Sequence, residues 1–189
     1  MTSAGKRFTV LQRFLHWLMA ACIIAMLFIG VGMVSTTMPK VLPLFTTHKT
    51  LGAAILVLAL LRLGVRLTSG APPLPASLPE PMKLAARLSH VALYSLMIAM
   101  PLLGWALLST ADYPVVLFGG LRLPALLPQS DALHTLFLTA HVYLAFAFFA
   151  LILLHIAAAL FHLLVRRDGV FEAMTPVASR ETGARTAPR

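Results

Sequence analysis

An all-α fold, an integral membrane four-helix bundle with N- and C-termini cytoplasmic, is what this sequence predicts, on three observations. Apolar residues make up 59% of the chain and charged residues only 11%, with a mean hydropathy of +0.89. A soluble domain carries about 25% charged residues, so too few charges remain here to cover a water-facing surface, and lipid must be the solvent over most of it. Four apolar runs are each long enough to cross a hydrocarbon core of about 30 Å at about 1.5 Å per residue. Finally, Lys and Arg lie mostly on one side of those runs, which sets orientation.

The first span is expected over the uncharged stretch 14–38. Thr9 and Gln12 before it form a T-x-x-Q capping box, which starts the helix ahead of His16. Its apolar run is longer than a signal-peptide core and lacks a clear A-x-A cleavage site, so it is read as a retained span. The second span is expected from Pro43 to Leu67, with Arg62 and Arg66 intruding near its end. The third covers Pro81 to Ser109, where Pro101 and Gly104 are expected to bend it. The fourth runs from Asp131 to Val165, longer than a membrane needs, so one end should project or tilt.

With the N-terminus inside, the cytoplasmic segments hold Lys6, Arg7, Arg13, Arg62, Arg66, Lys83, Arg87, Arg166, Arg167, Arg180, Arg185 and Arg189. The outer segments hold Lys40, Lys49 and Arg122. Residues 70–81 (GAPPLPASLPEP) form a stiff cytoplasmic loop. Residues 111–130 form an apolar outer loop that lies on the membrane or covers a site. The transmembrane domain is therefore expected over 8–176, followed by a disordered cytoplasmic tail over 177–189.

The net charge of +9 does not signal nucleic acid, because the basic residues cap apolar runs instead of forming a stripe interleaved with aromatics. Cys22 is the only cysteine, which excludes an intrachain disulfide and a thiolate metal site.

The chemistry rests on seven histidines, since an ionisable side chain within a membrane is costly and by default functional. His141 and His155 share one helix fourteen residues apart, which places them within about 40° of one face and about 21 Å apart along the axis. Each then needs a partner at its own depth. His16, about two turns into the first span, matches His155 on the inner side; His48, near the start of the second, matches His141 on the outer side. Two imidazoles without a Cys or a buried carboxylate are too few for a closed zinc site. They suffice for a haem iron, whose other four ligands come from the porphyrin. Gly30, Gly52 and Gly104 sit where a flat macrocycle needs a bare helix face, although close helix packing accounts for them equally. Arg13, Arg62 and Arg66 suit haem propionates, and positive-inside anchoring accounts for them as well. His162, seven residues beyond His155, and His90, at the start of the third span, are candidates for a quinone carbonyl or rival ligands at the inner site. His134 reads as a surface residue.

At these residues the chain resembles the bacterial cytochrome b561 family, small dihaem cytochromes of the inner membrane. The matching stretches are QRFLHWLMA around His16, HKTLG at His48 and RLSHVALYSLMIAMPLLGW in the third span. AHVYLAF and LLHIAAALFHLL carry His141, His155 and His162, and the chain exits through RRDGVFEAM. The resemblance covers about residues 8–176. It implies that His16, His48, His141 and His155 are axial ligands of two haem b groups. One type within the family oxidises superoxide at the outer face and reduces ubiquinone on the inner side, which would place His162 and His90 near the quinone.

The leading functional expectation is therefore an oxidoreductase of superoxide:quinone type in the bacterial inner membrane. Lys40, Lys49 and Arg122 outnumber Asp112 and Asp131 on the outer face, a modest field that favours a small anion; Lys49 and Arg122 are the steering candidates. A cytochrome b subunit serving a periplasmic electron donor or a larger redox enzyme is the second reading. A haem-free transporter or sensor is the third.

Overall fold

The computed structural model describes residues 7–175; the tail expected over 177–189, with Lys6, Arg180, Arg185 and Arg189, lies outside the described residues. Four long helices follow one another: α1 (Val10–Ser35), α2 (Val41–Ser69), α3 (Glu80–Thr110) and α4 (Asp131–Phe161). All four are long and apolar enough to cross a membrane.

The start of α1 follows from its sequence. The Gln12 N–H donates to Thr9 Oγ1 at 3.2 Å and the Thr9 N–H donates to Gln12 Oε1 at 3.0 Å, a capping box that satisfies two otherwise orphaned donors. Helix α2 begins at Val41, ahead of the expected Pro43, because a proline in the first turn forfeits no intrahelical hydrogen bond. It ends at Gly70, whose φ of 69° is a left-handed value that glycine adopts without strain. Helix α3 runs through Pro101, whose missing N–H leaves the Met97 carbonyl without its usual partner. Ser130 caps α4 through its side chain, accepting from the Leu133 N–H. The last stretch of the fourth span is not α-helical: a π-turn covers His162–Arg166 and closes on Arg167 in the left-handed region.

The apolar loop at 111–130 folds into a small antiparallel hairpin, β1 (Val115–Val116) with β2 (Arg122–Leu123), turned by Phe118–Gly120. Strands of two residues are too short to show alternation, so no periodic signal marks them. The hairpin rests on α2 and α3. The Phe118 N–H donates to Thr50 Oγ1 at 3.1 Å, Trp105 Nε1 donates to the Pro124 carbonyl at 2.8 Å, and the Leu126 N–H donates to Ser109 Oγ at 3.1 Å.

Both described ends of the chain meet at the opposite end of the bundle, called here the terminal end. There the Phe8 N–H donates to the Ala173 carbonyl at 3.3 Å and Trp17 Nε1 donates to the Met174 carbonyl at 2.9 Å. The Pro-rich loop joins the same end, since Gln12 Nε2 donates to the Gly70 carbonyl at 2.7 Å and Leu78 is buried.

The core lies between the two ends. Met19, Ala59, Met97 and Phe148, one from each helix, form a buried cluster, while Phe28, Val34 and Phe146 point outward, as a lipid-solvated bundle requires. Close helix packing links α1 to α2, α2 to α3 and α3 to α4. Helix α4 packs closely against neither α1 nor α2; the seam between them is bridged at its middle by Phe148 against Met19 and Ala59.

Candidate functional site: two histidine pairs across the seam

Phe148 lies seven residues from both His141 and His155, so α4 presents the two histidines on one face with the apolar core between them. At the hairpin end His48 faces His141 with ring centres 6.2 Å apart. At the terminal end His16 faces His155, also with ring centres 6.2 Å apart. Metal–imidazole bonds of about 2.0 Å, with about 1.1 Å from each nitrogen to its ring centre, would place two imidazoles on opposite sides of one ion about 6.2 Å apart. Both pairs have that separation. Each also spans helices that do not pack closely, α2 with α4 and α1 with α4.

Nδ1 of His48 is buried with no hydrogen-bond partner, a cost that native proteins do not carry without a reason. No group of three or more His, Cys, Asp or Glu side chains suited to a bare metal ion occurs among the described residues. Gly104 brings α3 directly onto the His141 imidazole: a Cβ added there would lie 3.4 Å from His141 Cε1. Gly52 approaches only Met26, and Gly30 has nothing near it, so the bare-face argument applies with contact only at Gly104. Paired imidazoles with no further protein ligands, set across that seam, fit a group that brings its own equatorial ligands.

The terminal end holds a third histidine. His90 lies 5.9 Å from His155 between ring centres, as near as His16. The two approaches differ in their helices, because His90 reaches His155 between the closely packed α3 and α4, where there is no seam for a macrocycle. His16 is held by Arg62, whose Nη1 donates to His16 Nδ1 at 2.8 Å, while Arg62 Nε donates to the Tyr94 hydroxyl oxygen at 3.1 Å. Arg66 lines one cavity together with Arg62, Gln12, Tyr94, Phe8 and Met174, so two guanidinium groups face a space whose lining has no carboxylate. Arg13 turns away from this group and donates to the Thr175 carbonyl at 2.9 Å.

His162 is bound to Asp168, with Nδ1 2.8 and 3.0 Å from the two carboxylate oxygens. His134 Nδ1 lies 3.2 Å from the Leu107 carbonyl, which joins α4 to α3. At the hairpin end the Lys49 ammonium sits 4.7 Å from the Phe45 ring centre and 5.3 Å from that of Tyr113, a cation–π clamp next to His48. Arg122 is exposed on β2, paired in register with Val116.

Sequence reasoning missed two of these residues. Tyr94 stands one helical turn after His90, which puts it on the same face of α3. Asp168 is the one acidic residue of the exit motif RRDGVFEAM close to His162, and the glycine after it permits the reversal that returns its carboxylate.

Comparison with known proteins places the chain in a family. A family profile described as prokaryotic cytochrome b561 matches residues 7–177. Cytochrome b561 homolog 2 of Escherichia coli (strain K12) is 31% identical over 192 residues, covering 96% of this chain and 98% of that protein. The "Probable superoxide oxidase CybB" of Yersinia pestis is 30% identical, covering 90% of this chain and 97% of its own length. Cytochrome b561 homolog 1 of Escherichia coli (strain K12) is 29% identical, covering 90% and 98% respectively. The chain belongs to the prokaryotic cytochrome b561 family, b-type haem proteins of the bacterial inner membrane.

Proposed function

We propose that the protein carries two haem b groups, one ligated by His48 and His141 and the other by His16 and His155, and moves electrons across the inner membrane from superoxide to ubiquinone. The observation that carries this is the repetition of one geometry at two depths: imidazole pairs with 6.2 Å between ring centres, each joining α4 to a helix that it does not pack closely against. The bound haems would supply one-electron transfer. The chain's part is to fix axial ligands and depth, and to place charge.

The Lys and Arg asymmetry of the sequence, twelve in the segments read as cytoplasmic against three in those read as outer, supports termini in the cytoplasm. The hairpin end then faces the periplasm, where Lys49 stands next to His48 and Arg122 is exposed, cations suited to drawing in a small anion. The name of the Yersinia pestis relative supports superoxide as that anion. At the cytoplasmic end, Arg62 and Arg66 would receive haem propionates, and His162 and His90 would meet ubiquinone. The overall change is balanced when two superoxide anions, one ubiquinone and two protons give two dioxygen and one ubiquinol.

A reduced-minus-oxidised spectrum with haem quantification tests the cofactor, followed by mixing with superoxide and a ubiquinone analogue. Two haems per chain, reduced by superoxide and reoxidised by the quinone, is the expected result. A colourless protein, or a single haem with all four histidines intact, removes the reading.

A further inference from the structure

The end of α4 meets a carboxylate, Asp168, that the electron path does not use. After the π-turn, Arg167 adopts φ 50° and ψ 43° and its N–H donates to the His162 carbonyl at 2.7 Å. The chain thereby reverses, and the Asp168 carboxylate returns onto His162 with both oxygens within 3.0 Å of Nδ1. The same carboxylate accepts from Arg166 Nε at 3.0 Å and from the Val170 N–H at 3.3 Å. Arg166 is anchored in turn, since its Nη2 donates to the Ser77 carbonyl of the Pro-rich loop at 3.3 Å. The side chains of His162 and Asp168 are 13% and 9% exposed, so the pair is enclosed by protein on most sides.

An ionised carboxylate only accepts hydrogen bonds, so this contact requires the proton to sit on Nδ1 of His162. The imidazole is then fixed both in orientation and in tautomer, and Nε2 is the end left for another molecule. A histidine that served only to pack would not need two further donors to hold the carboxylate behind it.

We infer that Asp168 is the positioning residue of a His162–Asp168 pair that passes protons from the cytoplasmic side to the reduced quinone. This rests on the quinone reading proposed above. Ubiquinone takes two electrons, arriving one at a time from the donor side, and two protons. Cytoplasmic water first protonates Nε2 of His162, giving an imidazolium whose charge Asp168 offsets; that proton passes to a quinone oxygen and the ring returns to its neutral Nδ1–H form. The other comes from water directly. Asp168 holds the Nδ1 proton throughout, so the ring exchanges protons only at Nε2.

The test uses the full-length, haem-loaded protein reconstituted in liposomes. Its haems are reduced and then mixed with a short-chain ubiquinone, and kcat and KM for haem reoxidation are compared among the unaltered protein, Asp168→Asn, His162→Gln and the double variant. Asp168→Asn should keep both haem spectra and lower kcat by about tenfold to 100-fold, at or below the lower end of what a positioned acid contributes, with little change in KM. In the His162→Gln background the same substitution should cost nothing further, because a residue acting through another has no effect once that residue is gone. Equal and independent losses in the two backgrounds, or no loss in the single variant, overturn the assignment.

If Asp168→Asn does not assemble with haem, nitrogen NMR of His162 in the unaltered protein decides: a proton on Nδ1 is expected, and a proton on Nε2 alone overturns the pair. Failure of the unaltered protein to be reoxidised by the quinone removes the quinone reading, and this assignment with it. Reoxidation of the unaltered protein with undiminished rate in Asp168→Asn removes the assignment alone.

Discussion

Arg62 donates from Nη1 to Nδ1 of His16 at 2.8 Å. A guanidinium cannot accept a hydrogen bond, so in this arrangement His16 carries its ring proton on Nε2. An imidazole that binds iron through Nε2 must instead carry its proton on Nδ1. The two states exclude each other, and loading of the inner site therefore has to release Arg62. The side chain stays tethered by Tyr94 through Nε, and a carboxylate brought by the cofactor would be an acceptor for its freed Nη1. Replacing Arg62 by Gln removes a positive charge that favours the reduced haem. The midpoint potential of the inner haem should fall by on the order of 60 mV, about one decade for a one-electron couple, with the outer haem unmoved. Redox titration followed at the α-band checks this, and an unchanged inner potential removes Arg62 from the propionate role.

His16 and His90 stand nearly equally close to His155, at 6.2 and 5.9 Å between ring centres, and only the packing of their helices separates them. If the seam decides, His16→Ala and His155→Ala each lose the inner haem and keep the outer one, while His48→Ala and His141→Ala do the reverse. His90→Ala keeps both. Haem content per chain and the low-temperature α-band of each variant are sufficient to read the result. Loss of a haem in His90→Ala with retention in His16→Ala would exchange the two roles.

Gly104 supplies a steric test of the outer site that leaves every ligand in place. A Cβ there lies 3.4 Å from His141 Cε1, which a methyl group can occupy with little movement. Gly104→Ala should therefore bind both haems. Gly104→Leu adds three more carbons towards the ring and should displace His141, giving protein that keeps the inner haem and loses the outer one. Retention of both haems in the leucine variant would show that α3 does not bound the outer site.

Much of this was legible in the sequence, for identifiable reasons. The spans were, because hydropathy over about 20 residues is a strong signal. The capping box at Thr9 and Gln12 was, because it is a local motif. The two histidine pairs were, because helical periodicity fixes both angle and rise along α4. What could not be read depends on chain reversals and on tertiary approach. The hairpin over Val115–Leu123 is held mainly by side chains of α2 and α3, such as Thr50 and Trp105. Asp168 reaches His162 only because the last turn of the fourth span is a π-turn ending at a left-handed Arg167, and hydropathy says nothing about either. Arg62 at His16 is an encounter between two helices, which no single-helix pattern encodes. Arg13 looked equivalent to Arg62 by position, yet it is engaged by the Thr175 carbonyl, an acceptor from a segment some 160 residues away in sequence.

The last prediction concerns acid. Burial alone would raise the Asp168 carboxyl, but the hydrogen bonds from His162, Arg166 and the Val170 N–H outweigh it and hold the carboxyl below its ordinary range. A carboxyl depressed in the folded protein contributes stability that is present above its unfolded value of about 3.9 and is lost as pH falls through the folded value. The reversal at 166–170 should therefore stay closed at neutral pH and open only below about pH 4. Hydrogen exchange of peptides covering 162–175 follows this directly. In the unaltered protein, protection should hold from pH 7 down to about pH 4 and then fall, after correction for the intrinsic rate. Asp168→Asn should lose that protection already at pH 7, because the amide carries no charge to pair with Arg166, while α1 and the middle of α4 stay protected in both proteins. Protection at 162–175 that is the same in the two proteins at every pH would show that the Asp168 carboxylate does not hold the reversal closed.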